Sequence, residues 1–581
     1  MENEEKVMMM RHGMAHVLAK AIMKLYPETK LTIGPAIEDG FYYDVDSSHT
    51  FTEEDFAEIE KLMAEIISSN EDFVRKEISK KEALELFKNN EYKTEIINEI
   101  KDGEALSIYY LGDDFFDLCR GPHVENTKYL RGFSFKFNRV SGAYWRGSEK
   151  NKMIQRIYFF GFADKKQLKA HLDLLQEAKE RDHRKLGKDL EIFMFSDVVG
   201  KGLPMWLPNG FILRRTLQDY ITNKEISLGY KHVHTPSLGS KCLYMTSGHW
   251  DHYKDDMFPA MIRDNETYVL RPMNCPHHMM IYKNFMHSYK DLPLRIAEVA
   301  NDFRFEASGN LTGIERARAF TQNDSHIFCR PDQIEQEIKG VIDLILDVYK
   351  DFGFNNYTFR LSLRDKNDKE KYFGNDELWT KSENALRKIL KESGADYYEA
   401  EGEAAFYGPK IDVQVKSAIG HDITLSTVQL DYQLPEKFEL EYIDEKSQKA
   451  RPVVIHRAIL GSLDRFIAFL LEETKGALPV WLSPIQVKVL SITDLNNNYC
   501  SQVCQTLLDN GVRCELDLRN EKIGYKIREA TKMKVPYLII IGNEEETNKT
   551  ISVRGRGFDN QSGVILSDFI ERIKSDVKSK K

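Results

Sequence analysis

From about residue 479 the chain alternates regularly between two periodicities, and no other feature restricts its architecture so sharply. Residues 486–492 alternate like a strand. Residues 499–510 have helical spacing and stop at Gly511. Residues 514–518 return to a strand, 523–532 to a helix and 537–541 to a strand. Strand–helix–strand–helix–strand within about 100 residues predicts a small parallel sheet covered by helices. Upstream, residues 405–433 and the short strands around 268–271 and 319–322 follow one another with few helices between them. That spacing predicts a mostly antiparallel sheet.

At 581 residues the chain has material for several cores. We expect an α+β multidomain protein with an α+β module at 1–163, a charged connecting helix at 164–188, an antiparallel-sheet domain at 189–478 and an α/β domain at 479–581. Within the first module, 12–26, 53–68 and 81–88 read as helices, and 41–43, 107–110 and 156–160 as strands. Helices are also expected at 210–228 and 332–352.

Lys and Arg number 82 against 91 Asp and Glu, a net charge of −9, which excludes a globally basic nucleic-acid coat. Any RNA contact must be a local patch. The acidic first residues lack an apolar signal core, and runs such as 466–471 and 537–541 fall far short of the ~20 residues of a membrane span. Seven cysteines, sparse and odd in number, point to a reducing compartment. The expectation is a cytoplasmic protein with no membrane segment. The basic end, Lys578 to Lys581, reads as a frayed terminus, and Cys500 and Cys504 as core packing.

Two constellations carry chemistry in the first module. His12 and His16 lie one helical turn apart on one face. Asp117-Leu118-Cys119-Arg120-Gly121-Pro122-His123 offers a thiol and a third imidazole. His12, His16, Cys119 and His123 would satisfy tetrahedral zinc by residue type, and they would equally serve as proton-transfer groups of a hydrolytic pocket. The HxxxH lacks the adjacent Glu of a metalloprotease helix. In the central region, Phe303-Arg304-Phe305-Glu306 reads as strand, and Gly461-Ser462-Leu463-Asp464-Arg465 opens an apolar helix. Arginines held on a rigid sheet suit a triphosphate, because the guanidinium fork meets phosphate oxygens bidentately.

Taken together, the Arg304–Glu306 segment, the Gly461–Arg465 helix start and the 210–228 helix leading to Thr235-Pro236 resemble motifs 2, 3 and 1 of class II aminoacyl-tRNA synthetases. More narrowly, Arg271-Pro272-Met273-Asn274-Cys275-Pro276, the stretch 320–328 and Ile455-His456-Arg457 resemble the threonyl-tRNA synthetases. So do the HxxxH and CRGPH pair and Asn520-Glu521-Lys522-Ile523-Gly524 near the end. The resemblance spans essentially the whole chain. It implies a class II catalytic core, an N-terminal editing domain and a C-terminal anticodon-binding domain. The implied reaction is ATP-dependent joining of L-threonine to tRNA(Thr) through threonyl-adenylate, with hydrolysis of mischarged Ser-tRNA(Thr).

Carried onto this sequence, the family's zinc would be held by Cys275, His326 and His456, which lie 51 and 130 residues apart. Arg304 would meet the α-phosphate, Arg465 the γ-phosphate and adenine end, and Glu306 the adenine. Met273, Gln322, Asp324, Tyr407, Lys410 and Gln429 would line the threonine and adenylate pocket, with Mg²⁺ accompanying ATP. His12, His16, Asp117, Cys119 and His123 would form the editing site, read here as a water-activating pocket without metal. Asn520, Lys534, Glu545 and Arg554 match positions that touch RNA, and the motif 1 helix implies a homodimer.

Departures are Phe303, Phe305 and Ala307 in motif 2, His277 where Gly is common, and no room before His12 for the small ubiquitin-like domain of many relatives. Altered loop packing and retained activity are expected. Two other readings are an enzyme charging another amino acid or acting only as an editing hydrolase, and an RNA-binding regulator on an inactive scaffold. The intact Arg304, Glu306, Arg465 and ligand set speak against the second.

Overall fold

Helix α1 (Glu2–Leu25) begins well before the expected residue 12. Over residues 13–22 it is buried on every side, with Met14, Val17, Leu18, Ala21 and Ile22 fully screened from solvent. It packs in one core with β1 (Gly40–Asp46), α2 (Phe56–Ser68), β2 (Ser107–Leu111) and β5 (Met153–Phe162), the last two of which bracket β3 (Phe116–Leu118) and β4 (Ser134–Tyr144) in the chain. An antiparallel sheet carries β1, β5 and β4 in that order. A second, smaller antiparallel sheet joins residues 73–77 to β2 and β3. The computed structural model describes all residues except 1, 102, 103, 105, 373, 374, 419 and 421. Its contacts divide the chain into unit 1, Met1–Gln176, and unit 2, Glu177–Lys581.

The charged connecting stretch is two helices, not one. Helix α3 (Lys165–Arg181) ends where Asp182 turns its carboxylate back to accept from the Arg184 N–H, capping α4 (His183–Asp189). Unit 2 then runs through α5 (Pro208–Ser227), β6 (Lys231–His232), α6 (Cys275–Lys283), β7 (Leu294–Phe303), β8 (Ala319–Cys329), α7 (Ile334–Phe352), β9 (Tyr357–Leu363), β10 (Tyr397–Glu401), β11 (Lys410–Lys416), β12 (Asp422–Asp431), β13 (Val453–Ser462) and α8 (Leu463–Thr474). Eight strands form one sheet in the order β6-β7-β8-β13-β12-β11-β9-β10. It is antiparallel except for the β6–β7 and β9–β10 pairs at its two edges. The expected mostly antiparallel sheet is therefore present.

Beyond it lie β14 (Val487–Ser491), α9 (Asn497–Asp509), β15 (Cys514–Asp517), α10 (Ile523–Lys532), β16 (Tyr537–Ile541), α11 (Asn543–Asn548), β17 (Ile551–Gly555), β18 (Gln561–Val564) and α12 (Leu566–Lys578). Strands β15, β14 and β16 are parallel, as expected, and β17 and β18 extend the sheet antiparallel. Cys500 and Cys504 are buried in its core. The basic terminus is docked, not frayed. The Lys581 carbonyl accepts from Val480 N–H at 2.7 Å, and the Lys580 ammonium lies 4.2 Å from the Trp481 ring centre and 4.9 Å from that of Tyr220. Cation–π attraction outweighs the fraying expected of a short charged end.

Candidate active site and a second histidine–cysteine cluster

Strand pairing brings together residues that the chain keeps apart. His326 on β8 lies directly opposite His456 on β13, and His456 opposite Gln429 on β12. Gln322, Asp324 and His326 share one face of β8 by the two-residue period of a strand. Asn323 and Arg457 turn to the other face, where both donate to Glu225 of α5, at 2.9 and 2.6 Å. Cys275 opens α6, and its sulfur completes a buried set whose potential ligand atoms with His326 and His456 all lie within 4.8 Å of one another.

The donor chemistry of this set fits a cation. Burial, reinforced by Asp324, Asp302 and Asp431, pushes the Cys275 thiol well above its usual range, so its thiolate needs a positive charge beside it. Burial holds His326 well below the usual imidazole range, hence neutral, which is the ligating form. His326 Nε2 is buried with no hydrogen-bond partner among the described residues. His456 Nε2 lies 2.8 Å from Asp431 Oδ2, which leaves its Nδ1 lone pair free. Tyr407 stacks on His456 with ring centres 4.9 Å apart and donates its hydroxyl to Gln429. Asp324, almost buried, lies 3.9 Å from His326 Nε2.

Next to this set opens a cavity of about 390 Å³ lined by Met273, Arg304, Glu306, Gln322, Lys410, Gln429 and Arg465 among others. Seven sequence-predicted residues therefore share one wall system, and Tyr407 joins it through its hydrogen bond to Gln429. Arg304 and Glu306 are not on a strand as expected. Strand β7 stops at Phe303, and the Arg304 N–H turns to the Arg318 carbonyl at 2.9 Å. Glu306 pairs with Arg316 at 2.9 Å. Arg465 follows Ser462, whose hydroxyl caps α8. Gly461 has φ +59°, and a Cβ there would meet the Leu425 carbonyl oxygen at 2.6 Å, so the tight turn into α8 excludes a side chain. Burial lowers Arg465, with Arg304 and Arg316 adding like charge against Glu315. A cluster of guanidinium groups lining a cavity is built to receive an anion.

The second cluster lies wholly in unit 1. Cys119 Sγ is 3.3 Å from His12 Nε2 and 3.2 Å from His123 Nε2, and the His16 and His123 ring centres are 4.3 Å apart. Gly121 makes the loop possible. Its φ is +77°, and a Cβ would sit 2.3 Å from the Tyr109 hydroxyl. His12 Nδ1 lies 3.2 Å from the Pro122 carbonyl, which can only accept. His12 Nδ1 therefore carries the proton and Nε2 accepts from the thiol. Burial raises Cys119 to about 11 and lowers His12, His16 and His123. His16 Nδ1 and His123 Nδ1 are buried without a partner among the described residues.

Asp117 lines the same cavity of about 400 Å³ as His12, His16 and Cys119. Its carboxylate is engaged elsewhere, with Lys93 Nζ at 2.5 Å and the Tyr43 hydroxyl. Lys93, buried and cavity-lining, went unnoticed in the sequence because it stands alone on an amphipathic helix. His249, 3.8 Å from the Cys275 sulfur, and His278, 2.8 Å from His326, carry no signal in the sequence either, because their partners come from other elements. His277, the noted departure, is not in this shell.

Of the residues matched to RNA contacts, Arg554 is exposed on β17 and Glu545 binds the Ser552 hydroxyl, two residues earlier on the same face, at 2.7 Å. Asn520 follows β15 on an exposed turn, and Lys534 stands in the loop before β16 with φ +57°.

Three family profiles match. The tRNA synthetase class II core domain (G, H, P, S and T) covers residues 257–474, an anticodon binding domain 486–576, and the threonyl and alanyl tRNA synthetase second additional domain 106–158. The chain is 54% identical over 577 residues to a threonine–tRNA ligase of Geobacillus sp. (strain WCH70), covering 99% of this chain and 89% of that one. It is 53% identical over 581 residues to one of Staphylococcus aureus (strain JH9), covering 100% and 90%. Among solved structures, the RNA binding domain of threonyl-tRNA synthetase from Cryptosporidium parvum Iowa II superposes with a TM-score of 0.65 at 38% identity, over 68% of this chain and 98% of that one.

Proposed function

Because the chain belongs to the threonine–tRNA ligase family, with a class II core, an anticodon-binding domain and an editing domain, we propose that its two histidine–cysteine clusters divide the work of charging and proofreading. The protein aminoacylates tRNA at the expense of ATP and edits the product. Its substrates are tRNA, ATP and an amino acid. Among the described residues no helix is long and apolar enough to cross a membrane.

In unit 2 the threonine carboxylate attacks the α-phosphorus of ATP, giving threonyl-adenylate and releasing pyrophosphate. Arg304 meets the charge that develops on the α-phosphate, and Arg465 holds the far end of the triphosphate beside Glu306. Lys410, Met273 and Gln322 border the nucleotide and amino acid, and Mg²⁺ accompanies ATP. Cys275 Sγ, His326 Nε2 and His456 Nδ1 would hold zinc, which would supply a Lewis-acid partner for the substrate amino and hydroxyl groups. The observation that carries this reading is the bare, buried His326 Nε2 facing a thiol and a second imidazole whose other nitrogen is already bound. Tyr407, Gln429 and Asp324 orient the amino acid against that face. Valine is nearly isosteric with threonine, and a site that demands a hydroxyl rejects it by ~10⁴-fold or more.

Serine keeps the hydroxyl and lacks one methyl, a difference worth about 1–3 kcal/mol, too little for accurate translation. The unit 1 pocket hydrolyses the mischarged ester. His12, the least buried of its imidazoles, accepts the proton of a water, and Lys93 supplies the positive charge in the same cavity. Asn520, Lys534, Glu545 and Arg554 would contact the tRNA through the C-terminal domain. The apolar side chains that α5 and its surroundings leave exposed, Phe211, Ile226, Leu228 and Val198, support a homodimer.

The deciding experiment is amino-acid-dependent pyrophosphate exchange with threonine, serine and valine, with and without a zinc chelator. Exchange with threonine, less with serine, none with valine, and loss on chelation is the expected pattern. Zinc bound without threonine-dependent exchange would refute the charging assignment.

A further inference from the structure

We propose that His278, backed by Glu298, is a positioning residue that sets the ring orientation and tautomer of the metal ligand His326. The inference rests on the zinc reading above and extends it to residues that hold no metal themselves.

The argument begins at Glu298, a fully buried carboxylate on β7. Thr235 pins both of its oxygens, its N–H donating to Oε1 and its hydroxyl to Oε2, each at 2.8 Å. The Arg271 guanidinium stands 3.5 Å from Oε1 and donates to the Thr235 hydroxyl at 2.6 Å. Burial opposes ionisation, but His278, Thr235 and Arg271 outweigh it and hold the group at about 2. A carboxylate only accepts. His278 Nε2, 3.2 Å from Glu298 Oε2, must therefore carry its proton.

In a neutral imidazole the other nitrogen is then an acceptor. His278 Nδ1 lies 2.8 Å from His326 Nδ1, so the proton between them belongs to His326. That leaves His326 Nε2 with a lone pair, the nitrogen that faces Cys275 and His456 without a partner among the described residues. A single anion thus fixes two protons in series. The rings cross at 86° with centres 4.7 Å apart, and both residues are fully buried, so neither can turn without leaving a polar atom unpaired. His456 reaches the same end by a shorter route, directly from Asp431.

The test compares zinc affinity, by chelator competition, in the parent protein and in His278→Leu, His278→Gln and Glu298→Gln. It also compares the visible spectrum of each cobalt-substituted protein. Loss of a group that orients a ligand histidine typically weakens metal binding ~10–100-fold. His278→Leu should show that loss and an altered cobalt spectrum. His278→Gln should recover most of it, because its carbonyl accepts from His326 and its amide donates to Glu298. KM for threonine should rise in His278→Leu while KM for ATP holds.

Parental zinc affinity in His278→Leu, or a lowered melting temperature of the metal-free protein with affinity unchanged, would overturn the proposal. Should His278→Leu not fold, Glu298→Gln decides: unchanged affinity and spectrum overturn the relay, a weakened site supports it. If the parent itself binds no zinc, the metal reading fails first, whatever the variants do.

Discussion

In unit 2 each imidazole of the Cys275–His326–His456 set has a carboxylate behind it, Asp431 directly for His456 and Glu298 by way of His278 for His326. In unit 1 the same residue types, His12, His16, Cys119 and His123, meet within the same 4.8 Å, but the nearby carboxylate, Asp117, is spent on Lys93 and Tyr43. His12 and His123 instead bond to the Cys119 thiol, and His12 also to a backbone carbonyl. Residue types and the closeness of their ligand atoms are thus alike in the two clusters, and what separates them is where the negative charge sits. An anion behind a ring fixes a lone pair outward and raises its basicity toward a metal. Rings without one are left neutral, and His12, the least buried of the three, can take a proton from water.

The sharpest way to break this contrast is to remove the sulfur. Cys275→Ala should abolish zinc binding and lower threonine-dependent pyrophosphate exchange by ~10⁴-fold, the scale on which a site fails without its obligatory polar partner. The parent should hold one zinc per chain by elemental analysis. Two per chain would erase the distinction, and exchange undiminished in Cys275→Ala would remove the metal from the reaction. A smaller effect is expected in unit 1. His12→Ala with His16→Ala should leave zinc content and threonine exchange intact. Deacylation of Ser-tRNA should fall ~10²–10⁴-fold, the usual reach of a lost general base. Deacylation at the parental rate would take these histidines out of proofreading.

How far these sites could be read from the sequence follows from where each partner comes. The HxxxH of α1 and the CRGPH loop were legible as chemistry because helical spacing puts His12 and His16 on one face and Cys119 and His123 lie four residues apart. The C-terminal alternation was legible because its period is local. Cys275, His326 and His456 were not legible from spacing, and only the resemblance linked them. Strand pairing between β8 and β13, distant in the chain, is what brings the two histidines face to face. Lys93, His278, Glu298 and Asp431 left no mark at all, since each is a single polar residue whose partner comes from another element. The Lys580 contact with Trp481 and Tyr220 was misread for the same reason, because a charged terminus looks solvated until its aromatic platform is in place.

Acid offers a gentler separation of the two clusters. His16 and His123 both have pKa values lowered by burial, with His12 and Lys93 adding to the effect on His16 and His16 and His12 to that on His123. Unfolded, each would titrate near its ordinary value of about 6.5. Between those limits the unfolded chain binds a proton that the folded one refuses, so unfolding takes up protons and stability rises with pH. The contribution of each group is complete above about pH 6.5 and is lost as pH falls toward the folded value. By pH 5 each histidine therefore subtracts stability that is present at pH 7.5. In zinc-loaded unit 2 the His326 lone pair is engaged, so a proton must first displace the metal and acid should register there as zinc release. Amide hydrogen exchange on the zinc-loaded full chain, corrected for intrinsic rates, reads both events. Residues 107–123 should lose protection at pH 5 while zinc is still bound and 319–329 remain protected. Equal loss in both segments at that pH would mean that the two sets of imidazoles are held by the same forces, and the contrast between them would fall.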